Sequence, residues 1–81
     1  MSVTLSVKGL DLSTDERILD GFFSQYGNVE DTVVIRDPKT GLSRGFGFVT
    51  LSSAEEADIA VENTNETELD GSRISVHRRR E

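Results

Sequence analysis

An 81-residue chain without cysteine can build one thin apolar layer and has no disulfides to reinforce it. The absent thiols and the single histidine also exclude a zinc constellation and a cysteine nucleophile. The formal charge of −6 argues, taken alone, against a polyanionic partner, and no apolar run approaches the length of a membrane-spanning helix.

Val3 to Lys8 alternates, with Val3, Leu5 and Val7 on one side and Thr4, Ser6 and Lys8 on the other, which predicts a half-buried strand. Nothing before it resembles the charged start and apolar core of a signal peptide. Ser13-Thr14-Asp15-Glu16 has the form of a capping box. Leu19, Phe22, Phe23 and Tyr26 follow at helical spacing as an aromatic core stripe, and Gly27 is placed to end the helix. Gly21 within it costs about 1 kcal/mol relative to Ala, so packing rather than propensity must hold this helix.

Val29 to Arg36 is short and β-branched, a second strand, and Asp37-Pro38-Lys39-Thr40-Gly41 is turn chemistry. Gly45 to Leu51 is a third strand. Ser53-Ala54-Glu55-Glu56 forms a second capping box, and Ala57, Ala60, Val61 and Thr64 give a helical stripe of small residues. Asp70-Gly71 is a turn, and Arg73 to His77 is the last strand, with Ile74 and Val76 inward. The order β-α-β-β-α-β predicts an α+β, ferredoxin-like fold: a four-stranded antiparallel sheet with two helices on one face and the other face bare. Residues 1–81 are expected to form one domain, whether it stands alone or is excised from a longer protein.

The distribution of charge softens its total. Residues 53–70 hold Glu55, Glu56, Asp58, Glu62, Glu66, Glu68 and Asp70 and no base. The bases Lys8, Arg36, Lys39, Arg44, Arg73 and Arg78 to Arg80 lie elsewhere. Acids on a helical side and bases on a sheet side would remove the conflict with an anionic partner.

Arg44-Gly45-Phe46-Gly47-Phe48-Val49-Thr50-Leu51 carries the most information. Alternation turns Gly45, Gly47, Val49 and Leu51 toward the helices, and Arg44, Phe46, Phe48 and Thr50 outward. Two phenylalanines on an uncovered face do not serve a core. Each is a platform for a stacked base, worth about 1–3 kcal/mol with little dependence on which base. Arg44 beside them is suited to a phosphate.

This segment resembles the ribonucleoprotein octamer of RNA recognition motifs, Lys/Arg-Gly-Phe/Tyr-Gly/Ala-Phe-Val-x-Phe/Tyr, departing only where Leu51 replaces an aromatic. Phe23-Ser24-Gln25-Tyr26-Gly27, Arg36 to Gly41 and Glu68 to Gly71 extend the resemblance along the whole chain. It implies that Phe48 stacks on a base, that Phe46 sits between adjacent sugars and that Arg44 meets the backbone. The family's second motif lies at Leu5-Ser6-Val7-Lys8-Gly9-Leu10. Ser6 stands there where the family usually has an exposed aromatic, which removes one stacking platform and implies weaker binding. Thr64 and Glu66 replace the usual Leu and Gly after the second helix, and Thr64 is expected to loosen the helix end. Val33 and Ile35 extend the apolar patch by the family's alignment, and Ser6, Lys8, Ser75 and His77 complete the face. The terminal run Arg78-Arg79-Arg80 is expected to cross the sheet edge and add phosphate contacts, with Arg78 as the site residue.

The resemblance therefore implies a single-stranded RNA partner, no metal or other cofactor, and a monomer. It implies a role in mRNA processing or regulation, in the nucleus ahead of the cytoplasm and with an organelle left open, with other proteins of a ribonucleoprotein or translation complex as further partners and no membrane. Two rival classes differ in what they require. Acylphosphatase-like enzymes share this topology but need an arginine in a Gly-rich loop after the first strand, where Lys8-Gly9-Leu10-Asp11-Leu12 has none; Gly45-Phe46-Gly47 is not a Walker loop. A protein-interaction module using the sheet or the acidic second helix stays open as an alternative. The Arg-x-Phe motif of one peptide-binding group is missing from Asn65 to Gly71.

Overall fold

The computed structural model describes residues 1–80. Its elements run β1 (Val3–Lys8), α1 (Glu16–Phe23), β2 (Val29–Arg36), β3 (Ser43–Leu51), α2 (Ala54–Thr64), β4 (Thr67–Leu69) and β5 (Ser72–Arg78). The sheet is ordered β2-β3-β1-β5-β4, and neighbouring strands pair antiparallel. The four expected strands are present, and β4 is a fifth. It hairpins onto β5 through Asp70 and Gly71, both at positive φ (53° and 78°), as a tight two-residue turn requires. Three residues with only Leu69 buried leave no alternation to read, which is why the sequence showed the turn and not the strand before it.

Leu5 and Val7 of β1, Val49 and Leu51 of β3, and Ile74 and Val76 of β5 point to one side of the sheet and are almost completely buried. Leu19 and Phe23 of α1 and Ala57 and Ala60 of α2 meet them. The two alanines allow α2 to lie close to the strands, as their spacing predicted. Phe23 is fully buried, whereas Phe22 and Tyr26 are half-buried and flank the core; edge-to-face contacts of 5.2 and 6.4 Å link the three rings.

The helix ends differ from expectation in three places. Asp15, not Ser13, caps α1: its carboxylate accepts from the Ile18 N–H at 3.0 Å, while Ser13 donates its own N–H to Asp11 at 2.9 Å. Glu16 is thereby freed from a capping box. Its Oε2 accepts from the Val34 N–H at 2.8 Å and its Oε1 from Arg36 at 2.9 Å, where β2 shifts register against β3. The Val34 N–H is the largest influence holding the Glu16 carboxyl below its ordinary range. Second, α1 stops at Phe23, and Gly27 is no C-terminal cap; it is glycine because a Cβ there would lie 2.6 Å from the Cβ of Glu56. Third, Thr64 does not loosen α2: it is fully buried, and its hydroxyl donates to the Ala60 carbonyl at 2.6 Å. Ser53 caps α2 as expected, accepting from the Glu56 N–H at 3.2 Å.

Candidate nucleic-acid interface

Because β1, β3 and β5 turn alternate residues into the core, the intervening ones form rows across the bare face. The strand registers place Val33, Phe48, Ser6 and His77 side by side from β2 to β5. One pleat along, Phe46, Lys8 and Ser75 form a second row. Asp31, Thr50 and Thr4 form a third, in which a 2.9 Å hydroxyl–hydroxyl hydrogen bond joins the two threonines and Asp31 is exposed. Eight of the ten residues chosen from sequence thus share this face: Phe46, Phe48, Ser6, Lys8, Val33, Ile35, Ser75 and His77.

Phe46 and Phe48 are half-buried, take no part in the core, and meet edge-to-face at 6.3 Å. No helix covers them. Val33 is exposed and Ile35 half-buried beside them. Gly47, between the two rings, faces inward and lies so close to β2 that a Cβ would sit 2.2 Å from the Val33 carbonyl oxygen. The octamer's inner glycine is needed here for close strand approach, since its φ is ordinary. Gly45 differs: its φ is +82°, and its carbonyl accepts from the Leu10 N–H at 2.8 Å, tying the start of β3 to the loop after β1. Arg44, just before it, is exposed.

The terminal arginines divide between the two sides. Arg78 lies opposite Leu5 and turns to the helical side, where its guanidinium holds Asp58 of α2 at 2.7 Å. Arg79 takes the open side instead. Its N–H donates to the Thr4 carbonyl at 2.8 Å, and its guanidinium carbon lies 5.4 Å from the centre of the Phe48 ring. Of the run expected to reach the open face, it is Arg79 and not the favoured Arg78 whose guanidinium lies there. Counting outward alternation on from Ser75 and His77 would have reached Arg79.

Ser6 leaves a gap in the first row. With strands about 4.8 Å apart, the residues flanking it, Phe48 and His77, stand about 10 Å apart. The result is a depression of about 310 Å³ bordered by Ser6, Lys8, Ser75, His77 and the arginines from 78 to 80. Among the described residues no carboxylate borders it. At the far end of the face, Asp37 accepts the N–H groups of Lys39 and Thr40, which lowers its pKa and fixes the β2–β3 turn with Lys39 exposed.

A ferredoxin-like sheet backed by two helices, with an aromatic pair on the free face of its β3 strand, defines the class of small α+β nucleic-acid-binding modules. Within that class the chain belongs to the RNA recognition motif family, whose model matches residues 5–75. Among curated proteins it is 46% identical over 77 residues to Glycine-rich RNA-binding protein 1 of Mycosarcoma maydis, covering 95% of this chain and 44% of that one. The chain spans less than half the length of the curated glycine-rich RNA-binding relatives that it matches. Among solved structures it superposes on RNA Binding Protein PG1 with a TM-score of 0.93 at 35% identity, covering 98% and 95% of the two chains. It also superposes on the Sxl-lethal protein in an RNA complex, with a TM-score of 0.87 at 31% identity, covering 93% of this chain and 46% of that one.

Proposed function

We propose that this domain binds about two to four nucleotides of single-stranded RNA flat on its open sheet face. The observation that carries the reading is the pair Phe46 and Phe48, outside the core and uncovered by any helix. Phe48 stacks one base, Phe46 packs against the neighbouring sugars, and Val33 and Ile35 widen the apolar floor. Arg44, Lys8 and Arg79 neutralise phosphates around it, and Ser75 and His77 add polar contacts to the bound strand. The names of the relatives, RNA-binding proteins and an RNA complex, support the same partner. A role in mRNA processing or regulation, in nucleus or cytoplasm, follows from the family rather than from any residue of the face.

The reading includes weak binding by the isolated domain. Ser6 in place of an aromatic removes a stack worth about 1–3 kcal/mol, or roughly 5- to 150-fold in affinity, which puts the dissociation constant in the micromolar range or above. Titration of isotope-labelled protein with short oligoribonucleotides is the test. Amide signals of β1 and β3 are expected to move first. Movement confined to α1 and α2 would remove RNA from the sheet and the proposal with it.

A further inference from the structure

We propose that the depression left by Ser6 is a phosphate site: where a stacked base would rest on an aromatic, this chain grips a phosphate of the bound strand. The inference rests on the RNA-binding reading and deepens it.

Three observations carry it. The first is shape. A hydroxymethyl group between Phe48 and His77 leaves about 310 Å³ open, with no ring on its floor to receive a base face. The second is charge. Lys8, Arg79 and Arg80 border the depression, and among the described residues no carboxylate does. Arg78 also borders it, but its guanidinium is committed to Asp58. The third is hydrogen-bonding capacity. Other hydroxyls of the sheet are engaged locally: Thr4 with Thr50 at 2.9 Å, and Ser72 with the Gly9 carbonyl at 2.6 Å. Among the described residues the hydroxyls of Ser6 and Ser75 and the imidazole of His77 make no such bond, and all three line the same hollow. Two free hydroxyls and an imidazole beneath three cationic side chains form a donor set for phosphate oxygens, and charge-assisted bonds of this kind are the strong ones. An uncharged base edge would leave those cations without a partner.

The site lies next to Phe48 in the same row, so a strand with one base on that ring brings the adjacent phosphate over Ser6. The phosphate is either a terminal monoester or an internal diester, and the test separates them. Three kinds of short oligouridylate are titrated at one salt concentration by fluorescence anisotropy. One ends in hydroxyls, one carries an added terminal phosphate, and in the third set single internal linkages are uncharged methylphosphonates. With the natural sequence, either the terminal phosphate tightens binding by about tenfold or one methylphosphonate position weakens it by about tenfold. That dependence is expected to vanish in Ser6→Tyr, whose ring fills the depression, and to shrink in Lys8→Gln. In Phe48→Ala it persists, while affinity for every strand falls in the same proportion. Equal affinity for all strands, or a dependence untouched by Ser6→Tyr, overturns the phosphate site. Phe48→Ala without effect on the hydroxyl-ended strand overturns the RNA-binding reading instead.

Discussion

Replacing Phe48 with alanine separates a binding platform from a core residue. A base stacked on one aromatic ring contributes about 1–3 kcal/mol. In the free protein, however, the Arg79 guanidinium already lies 5.4 Å from the centre of that ring, a cation–π contact worth about 0.5–1 kcal/mol at an exposed site. An incoming base, which needs the ring face to itself, displaces it. The net loss on Phe48→Ala therefore falls in the lower part of the range, about 1–2 kcal/mol, or roughly 5- to 30-fold in affinity. Removing the competitor should raise the value: in an Arg79→Ala background the same substitution is expected to cost more, and a double-mutant cycle reads the difference. Stability responds differently. Phe48 is half-buried and loses one edge-to-face contact with Phe46, worth about 0.5–1.5 kcal/mol, whereas Phe23→Ala empties a fully buried site at about 3–5 kcal/mol. Anisotropy with a short oligoribonucleotide and urea unfolding of the same samples give both quantities. Unchanged RNA affinity in a folded Phe48→Ala protein, or unfolding as severe as that of Phe23→Ala, would refute the reasoning.

Gly47→Ala should be the most damaging change on the open strand, because its Cβ would sit 2.2 Å from the Val33 carbonyl oxygen; urea titration is expected to show a loss beyond about 3 kcal/mol or no folded protein. Gly21→Ala points the other way: nothing lies within 4 Å of the added methyl, so α1 should gain about 0.5–1 kcal/mol of stability with RNA binding unaltered. Glu16 predicts an acid-sensitive β2. Its carboxyl is held below the ordinary value in the folded chain, chiefly by the Val34 N–H, so its contribution is present above the unfolded-state pKa and is lost as pH falls through the folded one. Glu16→Gln should therefore flatten the decline of melting temperature below about pH 4.5, by a modest amount because the carboxylate is partly exposed. A decline as steep as that of the natural chain would count against it.

Much of this molecule was legible because two periodicities do most of the specification. Alternation in Val3–Lys8 and Gly45–Leu51 separates the buried Leu5, Val7, Val49 and Leu51 from the outward Ser6, Lys8, Phe46 and Phe48. Helical spacing finds Leu19, Phe23, Ala57 and Ala60. What escaped was non-local. Glu16 has the right place for a capping box, yet its carboxylate satisfies an N–H of β2, a partner 18 residues away that no local pattern announces. Gly27 fits a helix-ending motif, and only the packing of α2 shows that Glu56 is the reason for the missing side chain. Ser13 was a sound cap by type, but Asp11 claims its N–H first, and Asp15 takes the role two residues later. Arg78 and Arg79 are identical in sequence, and one step of pleat gives them to opposite faces.

That same step of pleat bears on how a chain with a charge of −6 can present a face for a polyanion. Part of the acid lies behind the sheet, where Glu55, Asp58 and Glu62 are exposed on α2, on the far side of the core from Phe46 and Phe48, while Asp31 of β2, paired with Thr50, is a carboxylate at one end of the open face. Asp58 draws in Arg78, the one member of the terminal arginine run that turns toward the helices. On the other side Lys8, Arg79 and Arg80 border a hollow that has no carboxylate among the described residues. The Debye length at physiological salt, about 8 Å, is shorter than the thickness of a sheet with a helix packed upon it, about 10 Å between layers, so charges on one side are largely screened from a ligand on the other. The net charge therefore slows the long-range approach of RNA more than it weakens the bound state. On the proposed reading the affinity is expected to follow the local bases around Phe48, and its salt dependence should be that of the few phosphates seated there rather than that of an acidic protein repelling an acid.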